Sequence, residues 1–285
     1  MNGFINVLKP VGATASDVVV CLKHILRERK IGHLGTLDPG ASGVLPIAVG
    51  QGTRLFDFLT NKVKKYRAFF TFGKTTDTLD SYGTVTAKSS IIPTDKQISA
   101  VLKGFVGEFD QLPPQYSAKS VGGVRAYELA RNGIEVKLTP RKITIYDISL
   151  VERKNADTVA IDIVCGGGTY IRSIARDVAE QLGTVAYMSG LIRLQSGCFN
   201  IENAYTLDEV REMKERCLLD IMYPLQDVAE HHFQDALYAD LECGRKLKCP
   251  FDDGFRKIYC KGVFFGLGQN VDGILKISYY LKNAL

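Results

Sequence analysis

The chain has 285 residues, of which 46% are hydrophobic and 24% charged, with a formal net charge of +5. That balance excludes a disordered polyelectrolyte, and no run approaches the about 20 consecutive apolar residues of a membrane span. The length suits one large domain or two ordinary ones.

The opening MNGFINVLKP has no basic segment ahead of an apolar run, so no secretory leader is expected and the expected location is cytoplasmic. Charge is unevenly placed. Residues 1–74 carry eleven Lys and Arg against four Asp and Glu. A basic amino-terminal third suits a polyanionic partner, because clustered cations release counterions from a phosphate backbone; a solvated surface explains it equally well. The seven cysteines are scattered with no C-x-x-C pair, which reads as reduced thiols. Cys243 and Cys249 with His231 and His232 nearby match no familiar zinc spacing, so no metal is expected.

In chain order, Phe4–Leu8 reads as a strand stopped at Lys9-Pro10. A helix follows, with Ser16 as its expected N-cap and Val18, Leu22, Ile25 and Leu26 as its apolar stripe. Its other face offers Lys23, Arg27 and Lys30 to solvent or to a ligand. Val44–Val49 is a wholly apolar strand, and a helix carrying Leu55, Phe56 and Leu59 comes next. Tyr66, Ala68, Phe70 and Phe72 alternate with their neighbours as in a strand with one buried face. Thr94-x-x-Gln97 and Thr206-x-x-Glu209 are capping boxes opening helices. Val124–Asn132 reads as a helix ended by Gly133, Lys142–Val151 and Thr158–Val164 as strands, and Tyr170–Leu182 as a helix closed by Gly183. Past Asp227 the pattern turns to short β-rich runs over 256–282. A small β-rich module over 228–285 follows, too small to bury a thick core of its own.

Two glycine motifs mislead. Gly73-Lys74-Thr75 resembles the end of a phosphate-binding loop, but that loop needs a glycine where Ala68 stands. Gly166-Gly167-Gly168 fails as a dinucleotide fingerprint because Ile171 occupies the place of the last glycine.

The most unusual stretch is GHLGTLDPGASGVLPIAVGQG, residues 32–52, with six glycines and a single acid, Asp38. Glycine at this density lets another molecule approach the backbone closely. A lone carboxylate between cationic segments suits chemistry, while an Asp-Pro-Gly turn capped by its own side chain is the plainer alternative. Gly168-Thr169-Tyr170-Ile171-Arg172 opens a helix whose N–H groups could hold an anion, with Arg172 able to grip a carboxylate or phosphate at two points; an ordinary strand-to-helix turn is again the alternative. Tyr66, beside Lys64, Lys65 and Arg67, offers an aromatic face within a basic stretch, as stacking an unpaired base beside its phosphates requires, though core packing explains a strand tyrosine equally.

Taken in order, GHLGTLDPGASGVLP, KKYRAFFTFGKTTDTLDSYG, PPQYSAKSVGGVRAYELAR and CGGGTYIRSIARDVAEQLG resemble the bacterial tRNA pseudouridine-55 synthase (TruB-type) family. KPVGAT and LIRLQSGCF match that family near the two ends of its catalytic domain. The resemblance covers about residues 1–205. It implies an α+β pseudouridine synthase fold with a central antiparallel sheet (1–227), followed by a small β-rich RNA-binding module of PUA type (228–285). It implies isomerisation of a uridine in the T-loop of tRNA, position 55, by base flipping. The partner would be the tRNA T-arm, with no cofactor, no metal and no membrane, and a monomer is expected.

By motif position, Asp38 corresponds to the family's essential aspartate and Arg172 to the arginine that pairs with it. Tyr66 corresponds to the tyrosine that stacks on the target base and assists proton removal from C5. His33 corresponds to the histidine near the flipped nucleotide, and Tyr170 and Leu191 to residues lining its pocket. The chain departs from the family at Gly167 and Leu194, where basic residues are usual, and at Ala15, where serine is. The first two changes remove positive charge near RNA. A non-catalytic tRNA-elbow binder and a synthase for another structured RNA are the competing readings; the joint presence of Asp38, Tyr66 and Arg172 favours the enzyme.

Overall fold

A computed structural model describes residues 1–116, 120–121, 124–125 and 138–282. In chain order the elements are β1 (Gly3–Lys9), α1 (Ala15–Leu26), β2 (Ile31–His33), β3 (Ala41–Val49), α2 (Phe56–Thr60), β4 (Lys64–Phe72), β5 (Lys74–Thr76), β6 (Val85–Lys88), α3 (Asp95–Leu102) and β7 (Gly107–Gln111). They continue with β8 (Ser120–Val121), β9 (Val124–Arg125), β10 (Arg141–Arg153), β11 (Thr158–Cys165), α4 (Ile171–Gln181), β12 (Ala186–Ser196), β13 (Phe199–Asn200) and α5 (Leu207–Met213). The chain ends in β14 (Glu230–Phe233), α6 (Tyr238–Glu242), β15 (Arg256–Cys260), β16 (Val263–Val271) and β17 (Ile274–Tyr280).

The central sheet runs β1-β3-β12-β4-β11-β10-β7, with β2 and β13 added at its side. Its pairings are antiparallel except one. Leu191–Arg193 of β12 runs parallel to Ala41–Gly43 of β3. That exception matters, because it brings the end of the glycine-rich loop beside the middle of β12.

Alternation along the strands sorts the core into layers. Tyr66, Ala68, Phe70 and Phe72 of β4 and Ile161 and Ile163 of β11 face α3 and α4, which contribute Ile98, Leu102, Ile174 and Val178. At the other end of the sheet, Ile5, Val7, Leu45 and Ile47 pack against Val18 and Leu22 of α1. Phe4, Val44 and Ala48, on the opposite face of the same two strands, meet Phe264, Leu267 and Leu281. The wholly apolar run at 44–49 is thus explained by burial on both faces.

A second sheet, β14-β15-β16-β17, occupies residues 230–280. Besides its own cluster around Ile258 and Phe265 it leans on the larger sheet. Phe58 of α2 sits edge-on to Phe255 and Tyr279, with ring centroids 5.4 and 6.0 Å away.

Several expected boundaries shift. The N-cap of α1 is Thr14 rather than Ser16. Its Oγ1 accepts from Asp17 N while Asp17 Oδ2 accepts from Thr14 N, a capping box with aspartate in the third position. The boxes at Thr94 and Thr206 form as expected. Residues 50–60 divide into a 3-10 turn and the short α2, leaving Phe56 exposed while Leu55 and Leu59 are buried. Of the helix expected over Val124–Asn132, the first two positions are the strand β9, and the rest lies outside the described residues.

Candidate active site

Three segments distant in sequence meet at Asp38. The first is its own loop between β2 and β3. Ala41 N donates to Asp38 O at 3.0 Å, so the Asp-Pro-Gly segment does form a turn. The carboxylate itself is directed to Arg172, the second residue of α4.

Arg172 holds that carboxylate at two points, Nε to Oδ2 at 3.1 Å and Nη2 to Oδ1 at 3.3 Å. Its remaining donors reach Asp80 Oδ2 at 3.3 Å, Thr78 O at 3.0 Å and Tyr116 O at 3.1 Å. A planar five-donor fork suits this division, which an ammonium could not reproduce. Arg172 is 8% exposed while Asp38 keeps 37% of its side chain accessible. The cation is therefore buried beneath its acid, and the acid presents an open side.

The start of α4 is not the open anion cradle that its sequence suggests. The backbone of Tyr170 is clamped by Gln111, which accepts from Tyr170 N at 2.8 Å and donates to Tyr170 O at 3.1 Å. Half-buried Tyr170 forms the N-cap position, with Arg172 turned toward carboxylates rather than outward.

The parallel register of β12 and β3 builds the other wall. Arg193 lies opposite Tyr66 on one side and Gly43 on the other, and Leu191 lies between Ala68 and Ala41. Gly43 is required there. It has φ +104°, and a Cβ would meet Arg193 O at 2.3 Å.

Arg193 is completely buried and its hydrogen bonds go to uncharged oxygens. Nε donates to Val44 O at 2.6 Å, Nη2 to Gly35 O at 3.0 Å and Nη1 to Thr36 O at 3.4 Å, and the guanidinium also reaches the phenol of Tyr66. It thereby ties the loop leading to Asp38 to the strand that carries Tyr66.

Tyr66 is 7% exposed, and burial pushes its phenol above the ordinary value, with the positive charge of Arg193 opposing. The expected basic surroundings of Tyr66 are corrected by the two-residue period of β4. Lys64, on the same face, is buried with Nζ donating to Thr60 O at 2.6 Å and Lys62 O at 3.1 Å. Arg67 faces the opposite side, bound to both oxygens of Asp162 at 2.8 and 2.9 Å. Neither is placed to meet phosphates beside the tyrosine.

Lys9 is a further buried cation. Its Nζ donates to Ala13 O at 2.6 Å, Pro10 O at 2.9 Å and Pro39 O at 3.4 Å, bracing the residue after Asp38. Burial lowers the pKa of Lys9 to about 8, with the negative charge of Asp38 opposing, and lowers that of Lys64 to about 8. His33, at the end of β2, is held below its ordinary value by burial and then by the charge of Arg193. Its buried Nδ1 has no hydrogen-bond partner among the described residues.

Asp38, Arg172, Tyr66, His33 and Leu191 all border this region. Asp80, Arg193, Lys9 and Gln111 were not anticipated as parts of it. Asp80, Arg193 and Lys9 stand inside the motif blocks KKYRAFFTFGKTTDTLDSYG, LIRLQSGCF and KPVGAT, so a signal was present for those three without a role attached. Among the described residues no cluster of three or more His, Cys, Asp or Glu is placed to hold a metal ion.

The model of the TruB family pseudouridylate synthase N-terminal domain matches residues 23–171, and that of the tRNA pseudouridylate synthase B C-terminal domain matches 172–239. The chain belongs to the TruB family.

Among its relatives, tRNA pseudouridine synthase B of Clostridium perfringens (strain 13 / Type A) is 37% identical over 99% of each chain. The protein of the same name from Alkaliphilus oremlandii is 41% identical over 81% of this chain and 77% of its own. The solved structure described as "Crystal Structure of a Cbf5-Nop10-Gar1 Complex" shares the fold with a TM-score of 0.73 and 27% identity, over 94% of this chain and 78% of that one. TruB membership makes this chain a pseudouridine synthase. The boundary between the two matched models falls between Ile171 and Arg172, so the Asp38–Arg172 pair joins them across a single sheet and its helix.

Proposed function

We propose that this chain isomerises a uridine in the T-loop of tRNA, position 55, to pseudouridine. The observation that carries the reading is the Asp38 carboxylate, gripped at two points by a buried arginine and open on its other side. A carboxylate so held is aimed without being used up, because the guanidinium fixes its plane and leaves lone pairs free for a substrate.

In the reaction the N1–C1′ glycosidic bond breaks, the uracil turns, C5 joins C1′ and the C5 proton is finally exchanged for one on N1. Atoms and electrons balance within the nucleoside, so the conversion asks for no redox group. Asp38 serves as nucleophile or as electrostatic partner of the sugar or base, splitting one hard step into two. Arg172 holds it in place. Tyr66 stacks on the uracil and assists removal of the C5 proton, His33 assists extrusion of the nucleotide, and Tyr170 and Leu191 line its pocket. Extruding a base costs a few kcal/mol, least where the base is already unpaired, which favours a tRNA loop over duplex RNA. The sheet of β14–β17, within a module spanning 228–285, contributes RNA contacts in the manner of a PUA-type domain. The enzyme acts as a cytoplasmic monomer on the T-arm.

Incubation with an unmodified tRNA transcript, followed by mapping of pseudouridine, tests the reading. Product at position 55 supports it. Product confined to another tRNA position, or to ribosomal or guide-directed RNA, contradicts it.

A further inference from the structure

Tyr82 is the most exposed large side chain of apolar character among the described residues, at 65%, and it stands on the rim of the candidate site. Its ring edge lies against Gly40, two residues past Asp38. A Cβ on Gly40 would fall 2.5 Å from Cε2 and 3.3 Å from Cδ2 of the ring. Gly40 does not have a positive φ, so its lack of a side chain serves the close seat of the tyrosine ring rather than the turn.

The backbone beneath the ring is fixed from several sides. Tyr82 N donates to Asp80 Oδ1 at 3.0 Å, and Asp80 Oδ2 is bound by Arg172. Thr78 Oγ1 donates to the same Asp80 Oδ1 at 2.7 Å, and Thr76 Oγ1 to Asp80 O at 2.7 Å. Ser81 Oγ donates to Ser189 O at 2.9 Å, and Met188 N to Leu79 O at 3.0 Å, tying the segment to β12. Thr78 N and Thr84 N both donate to Asp77 Oδ1. An exposed side chain thus rises from a turn whose backbone is held by several hydrogen bonds.

An exposed aromatic on a rigid base is what stacking of an unpaired nucleobase requires, since little conformational freedom remains to be lost on contact. Tyr66 is buried in β4 whereas Tyr82 stands exposed against Gly40, so the second ring offers a face of its own. We propose that Tyr82 is a stacking platform for an unpaired nucleobase adjacent to the target uridine, a subsite at the rim of the cleft that helps select a single-stranded substrate. The proposal rests on the reading of this chain as an RNA-modifying pseudouridine synthase. It adds a second base-binding position to it.

The test is steady-state kinetics of pseudouridine formation on a tRNA transcript, with Tyr82→Ala and Tyr82→Phe beside the unaltered enzyme. Each nucleotide flanking the target is in turn made abasic, and tRNA affinity is measured separately by fluorescence. Tyr82→Ala is expected to raise KM and Kd about 10-fold with kcat changed less than about two-fold, and Tyr82→Phe to restore affinity. One of the two abasic substrates is expected to cost the unaltered enzyme the same factor and to cost Tyr82→Ala nothing more. Equal affinity for Tyr82→Ala and the unaltered enzyme overturns the proposal, as do losses that multiply for both abasic substrates. If the unaltered enzyme makes no pseudouridine in any RNA, the functional reading fails instead, and the affinity measurement alone then decides for or against Tyr82.

Discussion

Arg193 and Tyr66 stand opposite each other on neighbouring strands, and the guanidinium charge acts on the phenol against the effect of its burial. The same guanidinium binds three carbonyl oxygens of residues 35–44, so one buried cation sets the distance between the loop of Asp38 and the strand of Tyr66. Replacing it with methionine keeps much of the volume but strands three carbonyls. Arg193→Met is expected to lower unfolding stability by about 2–4 kcal/mol. It should also raise the Tyr66 phenol pKa further, because the opposing positive charge is gone. Urea denaturation and ultraviolet titration of the tyrosines check both, and a stability loss under about 0.5 kcal/mol would count against this arrangement.

Arg172→Lys separates charge from geometry. Lysine keeps the positive charge but offers a single ammonium where the fork serves two carboxylates and two carbonyls. Turnover is expected to fall by about 100-fold or more, with tRNA affinity within a few-fold. If the lysine variant kept more than about a third of the activity, the two-point hold would have no catalytic meaning.

The acid side of the stability profile should carry the signature of His33. Its imidazole is held below its ordinary value in the folded chain, by burial first and then by the charge of Arg193, so folding favours the neutral form. As pH falls through about 6.5 the unfolded chain takes up the proton first and gains stability relative to the fold. His33→Gln removes that term. The stability of the unaltered protein relative to His33→Gln should be constant above about pH 7. Below that it should decline by at most about 1.4 kcal/mol per pH unit. A difference independent of pH between 5 and 8 would place the imidazole in an environment as open as water.

How much of this the sequence contained depended on range. Local devices were readable. The alternation of Tyr66, Ala68, Phe70 and Phe72 gave β4 and its buried face, and threonine boxes at 94 and 206 gave two helix starts. The same alternation, applied strictly, would also have turned Arg67 away from Tyr66. The box at Thr14 is less legible than those at Thr94 and Thr206 because it closes with aspartate in place of the longer glutamate or glutamine.

Asp38 and Arg172 stand out by unusual local composition and by resemblance to a family, although 134 residues separate them. Arg193 acts on Gly35 across 158 residues, through a parallel pairing that leaves no periodic mark in either strand. Lys9 read as a strand end before proline, and only the fold reveals it beneath Pro39. Residues whose partners are backbone carbonyls are the hardest to anticipate, because every segment offers carbonyls and none identifies itself by side chain.

The central claim is that the chemistry depends on the charge of the Asp38 carboxylate, which Arg172 holds and Tyr66 assists, and that tRNA binding does not. Asp38→Asn keeps the shape of the side chain and removes its charge. Pseudouridine formation on tRNA under single-turnover conditions should fall by at least about 1,000-fold, equivalent to about 4 kcal/mol of barrier, with tRNA affinity unchanged within about three-fold. Asparagine at this position turning over at a rate near that of the unaltered enzyme would contradict the account.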